Sequence, residues 1–273
     1  MCKPKMRHVY LSPHLDDAAL SCGGLIHQQA QRGERPLVIT CFAGVPDYHA
    51  LSPFAAEQHR RWGQPVDPVE KRRCEDAAAL SYLGAQYQHC DYLDCIYRSN
   101  PDSAEPLYAS EEALFGPLCP EERGRIAELT TRLATCLVKK ATQIYAPLAV
   151  GHHVDHRFVL QAAAQLREQG FQVQFYEDYP YAEDAQKLAG ALSAWALSPT
   201  PQLVTLGEQD VQARIRAIRL YRSQLETLFA SESAVAERVL AFARALGDGH
   251  CAAERYWQGG TLSFGAGVLR GSV

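Results

Sequence analysis

An α/β fold with a mainly parallel sheet covered by helices on both faces is what this sequence predicts, and three observations carry that expectation. Short apolar runs rich in β-branched and aromatic residues recur at 8–11, 37–42, 143–150 and 173–176. Longer stretches with helical spacing, such as 69–83 and 121–139, lie between them. Strands that are apolar throughout, rather than alternating, are those buried on both faces of a parallel sheet. The length of 273 residues, 47% hydrophobic and 21% charged, suits one large domain with a substantial core, expected to span 1–273.

Taken in order, the run at 8–11 is a first strand, and the stretch at 18–31 is the helix after it. Gly23-Gly24 inside that helix costs about 1 kcal/mol per residue against Ala, which implies close approach of a neighbouring backbone. A second strand follows at 37–42. Residues 45–68 carry Pro46, Pro53, Pro65 and Pro68, and residues 99–120 carry Pro101, Pro106, Pro117 and Pro120. Both read as long loops, either binding loops or solvated insertions. Helices at 69–83 and 121–139 frame the second of them. The strand at 143–150 opens a helix at 157–169, and 173–176 is a further strand. Beyond Leu206 the chain reads as helical, at 211–228 and 234–246, before a Gly-rich tail, and is expected to cover one edge of the sheet.

A net charge of −4 offers no basic surface for nucleic acid or an anionic membrane, and a small polar or neutral ligand fits better. The nine cysteines form no CxxC pair, so a zinc ribbon or thioredoxin-type site is not indicated. Cys41 and Cys136 sit in apolar runs and read as reduced core thiols; Cys22 reads as packing. No apolar leader segment and no stretch near the ~20 apolar residues of a membrane span is seen, so a cytoplasmic address is expected. The first strand runs into His14 rather than into a GxGxxG or GxxxxGK[ST] loop, which argues against a nucleotide-dependent enzyme. The oligomeric state stays open, a homo-oligomer included.

Chemistry concentrates in two clusters at strand ends, where ligands of open parallel sheets collect. Ser12-Pro13-His14-Leu15-Asp16-Asp17 follows the first strand, and Gly151-His152-His153-Val154-Asp155-His156 follows the strand at 143–150. His14 and Asp17 are three apart and can face one point at a helix start, leaving Asp16 free. An Asp there could instead cap the helix, but adjacent carboxylates repel unless a cation compensates them. His153 and His156 repeat the spacing, with Asp155 close enough to fix the tautomer of one imidazole. A polar turn would explain one histidine here, not three within five residues.

A catalytic zinc site takes three protein ligands and keeps one position open. His14, Asp17 and His156 supply a 2-His-1-carboxylate set for Zn2+, and the same donors accept Fe2+. Asp16 is then a general base toward water and a proton carrier to the departing amine. Protonated His153, held by Asp155, would stabilise the oxyanion. The inventory matches metal-assisted amide hydrolysis.

These residues resemble the signature of the PIG-L/LmbE-like N-acetylglucosaminyl deacetylase family, a His-Pro-Asp-Asp-Glu motif after the first strand and a later His-x-Asp-His motif. Here they stand as His14-Leu15-Asp16-Asp17-Ala18 and His153-Val154-Asp155-His156. Arg73-Cys74-Glu75-Asp76-Ala77, running to Leu83-Gly84, is similar to an Arg-plus-acid helix of that family. The resemblance implies a Rossmann-like domain, zinc on His14, Asp17 and His156, Asp16 as base, and His153 with Asp155 as an electrostatic pair. It also implies a small N-acyl glucosamine-type substrate, with Arg73 as a candidate sugar contact. Leu15 and Ala18 depart from the motif; losing the acid at 18 bears on substrate identity more than on the reaction. Glu177-Asp178, flanked by Tyr176, Tyr179 and Tyr181, is expected near the pocket rim, with a packed strand end as the plainer alternative.

Two other readings use the same residues. One is a metal amidase for a different N-acyl substrate, such as a thiol conjugate or a glycosylated natural product. The other is a non-catalytic sugar-binding relative, against which Asp16 speaks, because a pure binding site has no need of a free carboxylate beside its ligand.

Overall fold

The computed structural model describes residues 6–61 and 67–262. β1 (Arg7–Ser12), α1 (Asp17–Gln31), β2 (Leu37–Thr40), α2 (Pro53–Arg61), α3 (Pro68–Tyr82) and β3 (Gln86–His89) come first. They are followed by α4 (Glu111–Leu114), α5 (Glu122–Cys136), β4 (Thr142–Pro147), α6 (Val154–Glu168) and β5 (Gln172–Tyr176). The remainder comprises α7 (Ala185–Ser193), β6 (Trp195–Leu197), β7 (Thr200–Leu206), α8 (Glu208–Ile218), α9 (Leu225–Phe229), α10 (Glu232–Leu246), β8 (Ala252–Gln258) and β9 (Thr261–Leu262).

Seven strands form one sheet in the order β3-β2-β1-β4-β5-β8-β7. The first five pair in parallel, and β8 runs antiparallel to both β5 and β7. This is the mainly parallel α/β sheet that the apolar runs predict, in the Rossmann-like form that the family resemblance implies. Successive β1 residues serve opposite faces: Val9 and Leu11 join a core with α5 and α6, and Tyr10 joins one with α1, α3 and α8. Strand order reverses at β1, with β2 on one side and β4 on the other. At such a switch point the crossovers diverge, leaving a crevice at the carboxyl ends of β1 and β4.

The Gly23-Gly24 pair does mark a close approach, but the nearest atoms belong to neighbouring side chains and not to a neighbouring backbone. A Cβ on Gly23 would lie 3.0 Å from the Arg214 Cγ of α8. One on Gly24 would lie 2.5 Å from a Leu206 methyl carbon and 2.8 Å from a Glu254 carboxylate oxygen, so α1 packs directly onto β7 and β8.

Several expectations need correction. Segment 45–68 is not wholly irregular, since it contains α2; its residues 62–66 lie outside the described residues, as does the tail beyond 262. The C-terminal region is not only helical, because β7 and β8 extend the sheet. The helix expected at 211–228 ends at Ile218, and the chain turns before α9. β3, Gln-Tyr-Gln-His, is an edge strand whose polar residues escape a search for apolar runs. Cys22 and Cys41 are buried, but Cys136, in the last turn of α5, is exposed. Among the described residues no helix is long and apolar enough to cross a membrane.

Candidate active site

The two clusters are shaped by local bonding. The Ser12 hydroxyl accepts from the Ala18 N–H at 3.0 Å and donates to the His14 carbonyl at 2.7 Å. Ser12 thus does the capping at the start of α1, and Asp16, at the N-cap position, makes no side-chain cap bond. After β4 the chain turns through left-handed residues Ala149, Gly151 and His152, with φ of 62°, 89° and 65°. Such a turn persists where its surroundings fix it, and Asp178 Oδ2 does so by accepting from the Val150 N–H at 2.8 Å. His153 caps α6, its Nδ1 accepting from the Asp155 backbone N–H at 3.3 Å, which leaves the ring proton of the neutral imidazole on Nε2.

The two distant stretches meet at one point. His14 Nδ1 and His156 Nε2 each stand 3.3 Å from the same atom, Asp17 Oδ2. Ligands about 2.0 Å from a tetrahedral ion stand about 3.3 Å from one another, and the two His–Asp17 separations match two edges of such a coordination sphere. Ring nitrogens of His14, His153 and His156 also fall within 4.8 Å of one another. A carboxylate backs each of the two converging imidazoles: Asp155 Oδ2 lies 3.0 Å from His14 Nε2, and Asp178 Oδ1 lies 2.6 Å from His156 Nδ1. Bonds of this kind fix which nitrogen remains free to ligate.

The electrostatics agree. Burial opposes charge on His156, yet Asp17 and Asp178 draw it up to about 10. Burial would raise Asp17, but the His156 and His14 imidazoles hold it well below the usual carboxylate range. The acids around the two imidazoles favour positive charge there, and the nitrogen and oxygen donors suit a divalent ion of the zinc type.

Asp16 stands apart from the converging atoms, 6% exposed. Burial lifts its carboxyl to about 7 despite Arg72, whose Nη2 lies 3.5 Å from its Oδ2. It lines a cavity with Arg72, Asp94, Gln58, Tyr179 and Tyr181.

Four expectations change here. Arg73 does not line this cavity; its Nη1 donates to the Ala43 carbonyl at 3.2 Å, and its neighbour Arg72 takes the cavity position, because successive helical residues point about 100° apart. Asp155 does not hold the His153 ring by its carboxylate, which is engaged by His14, Arg98 and the Cys95 N–H. His153 is not protonated at neutral pH: burial, then the adjacent His14, lower it to about 4. Glu177 and Asp178 are not rim acids. Glu177 pairs with Arg255 and Trp257, whereas Asp178 backs His156.

The sequence flagged Asp178 without its partner and gave no signal for Arg72, Asp94 or Arg98. The six residues His14, Asp16, Asp17, His153, Asp155 and His156 do come together.

Comparison with known proteins places the chain in a family. Residues 9–167, more than half of the chain, match the PIG-L family, described as GlcNAc-PI de-N-acetylase. The chain is 29% identical over 247 residues to a 2'-N-acetylparomamine deacetylase of Niallia circulans, covering 85% of this chain and 86% of the relative. It is 30% identical over 264 residues to a 2'-N-acetylparomamine deacetylase of Streptomyces fradiae, covering 95% and 84%. Among solved structures it resembles the zinc-inhibited form of teicoplanin deacetylase, with a TM-score of 0.81 and 30% identity, over 92% of this chain and 97% of that one. On this match and on the motifs at the ends of β1 and β4, the chain belongs to the PIG-L family of de-N-acetylases.

Proposed function

We propose that this protein is a zinc-dependent N-deacetylase, a single catalytic domain over residues 1–273, acting on an N-acetylglucosamine-type residue of an amino-sugar glycoconjugate. The observation that carries the reading is the convergence of His14 Nδ1 and His156 Nε2 on Asp17 Oδ2, with Asp16 beside them in the same crevice. His14, Asp17 and His156 would hold the ion. When bound, a divalent ion supplies Lewis acidity that acidifies water and polarises an acyl oxygen.

Asp16, whose carboxyl burial lifts to about 7, in its ionised form takes a proton from the attacking water and returns it to the departing sugar nitrogen. Its Arg72 neighbour steadies the carboxylate through that exchange. His153, which lines the same cavity, would act as a neutral donor through its Nε2–H to the negative oxygen of the tetrahedral intermediate. The named relatives are deacetylases of 2'-N-acetylparomamine and of teicoplanin, and likeness to them over most of the chain supports an N-acetylated glycoconjugate as substrate.

The test is release of free amine from 2'-N-acetylparomamine and simple N-acetylglucosamine glycosides, before and after chelation, with zinc restored at one equivalent. Activity lost on chelation and regained with zinc supports the reading. Full hydrolysis by metal-stripped protein removes it.

A further inference from the structure

We propose that Arg98 is a positioning residue for the metal centre, holding Asp155 so that His14 presents Nδ1 toward Asp17. This rests on the metal reading above. Arg98 immediately precedes the Pro-rich segment 99–120 and is only 5% exposed. Its donors run in three directions: Nη2 to Asp155 Oδ1 at 2.5 Å, Nε to Glu122 Oε1 at 2.9 Å, and Nη1 to the Leu93 carbonyl at 2.9 Å. The guanidinium lies over Phe42, 4.7 Å from the ring centroid, and 5.5 Å from that of Tyr108. A planar fork with three fixed directions is a task for arginine and not for lysine.

Asp155 is fully buried, and its second oxygen accepts from the Cys95 N–H at 3.1 Å and faces His14 Nε2 at 3.0 Å. With one oxygen held by Arg98 and the other by the Cys95 amide, the carboxylate cannot rotate without breaking a buried bond. His14 therefore meets an acceptor in a fixed place, which keeps its proton on Nε2 and turns Nδ1 to the convergence point. The same Pro-rich segment is tied to α6 again where Arg157 Nη1 donates to the Gly116 carbonyl at 2.6 Å. The segment thus braces the helix that carries His156, and Arg98 is the contact that reaches the centre.

The experiment measures zinc dissociation constants by chelator competition on the full chain, for wild type, Arg98→Met, Glu122→Gln and the double variant. Both proteins lacking Arg98 are expected to bind zinc at least about 10-fold more weakly, toward the roughly 10–100-fold cost of losing Asp155, the partner behind the ligand itself. Glu122→Gln keeps the Asp155 contact and should stay within about threefold of wild type. If Arg98→Met does not fold, the double variant decides, since it leaves no unpaired Glu122 carboxylate. Wild-type zinc affinity without Arg98 overturns the proposal, and so does an equal loss in Glu122→Gln. Failure of the wild type to bind zinc would instead sink the metal reading itself.

Discussion

Among individual residues, Ser12 decides how the two aspartates after it are used. Because its hydroxyl caps α1, Asp17 can turn toward the imidazoles and Asp16 toward the cavity and Arg72. Asp16→Asn should therefore keep zinc bound but lower kcat by about 10²–10⁴-fold, the range that general acid–base groups supply. Metal content and amine release measured on the same preparation check this, and undiminished turnover would remove Asp16 from the reaction. Asp178 belongs at this scale too. Asp178→Ala strips His156 of its 2.6 Å partner and Val150 of its anchor, so zinc affinity should fall by about 10–100-fold in chelator competition. Arg72 and Arg73 mark the limit of reading residue by residue. They are adjacent on one helix, and only the direction of α3 against the crevice selects between them.

Among the elements, α1 bears the closest packing. Gly24→Ala gains about 1 kcal/mol in intrinsic helix preference, but the new methyl meets Leu206 and Glu254 at distances real side chains do not tolerate. Overpacking of this kind costs about 1–3 kcal/mol, so a net loss is expected as a lower urea midpoint. A midpoint raised by the full helix preference would mean that the contact relaxes freely. The elements also differ in how plainly the sequence announces them. β1, β2, β4 and β5 are read from apolar runs because helices or neighbouring strands cover them. β3 is a polar edge strand, and β7, mostly exposed, borrows its place from pairing with β8. Such strands are defined by a partner distant in the chain.

Across the whole molecule, Glu254 joins the two ends of the described chain. Its carboxylate accepts from the Gly24 and Leu25 N–H groups at 2.9 and 3.1 Å and from the Tyr256 hydroxyl at 2.8 Å. It also pairs with buried Arg214 at 3.4 Å. Glu254→Ala leaves that guanidinium uncompensated and should cost about 3–5 kcal/mol in denaturant unfolding. A change below about 1 kcal/mol, the median worth of an exposed pair, would show that the end-to-end link carries little weight. Zinc acts at the same scale. At a thousandfold excess over its dissociation constant it should add about 4 kcal/mol of stability, seen as a higher melting temperature that chelation reverses.

The sequence by itself determined the α/β class, the strand ends where chemistry gathers, and the six residues that meet there. Those features are local: a three-residue spacing at a helix start, or an apolar run, has the same geometric consequence wherever it is placed. Only the tertiary structure decided that Asp155 serves His14 rather than His153, that Asp178 backs His156, that Arg72 and not Arg73 faces the cavity, and that the C-terminal region adds strands to the sheet. Each of these depends on which group, far away in sequence, lies within hydrogen-bonding reach, and that is set by how the crossovers diverge around β1 and β4.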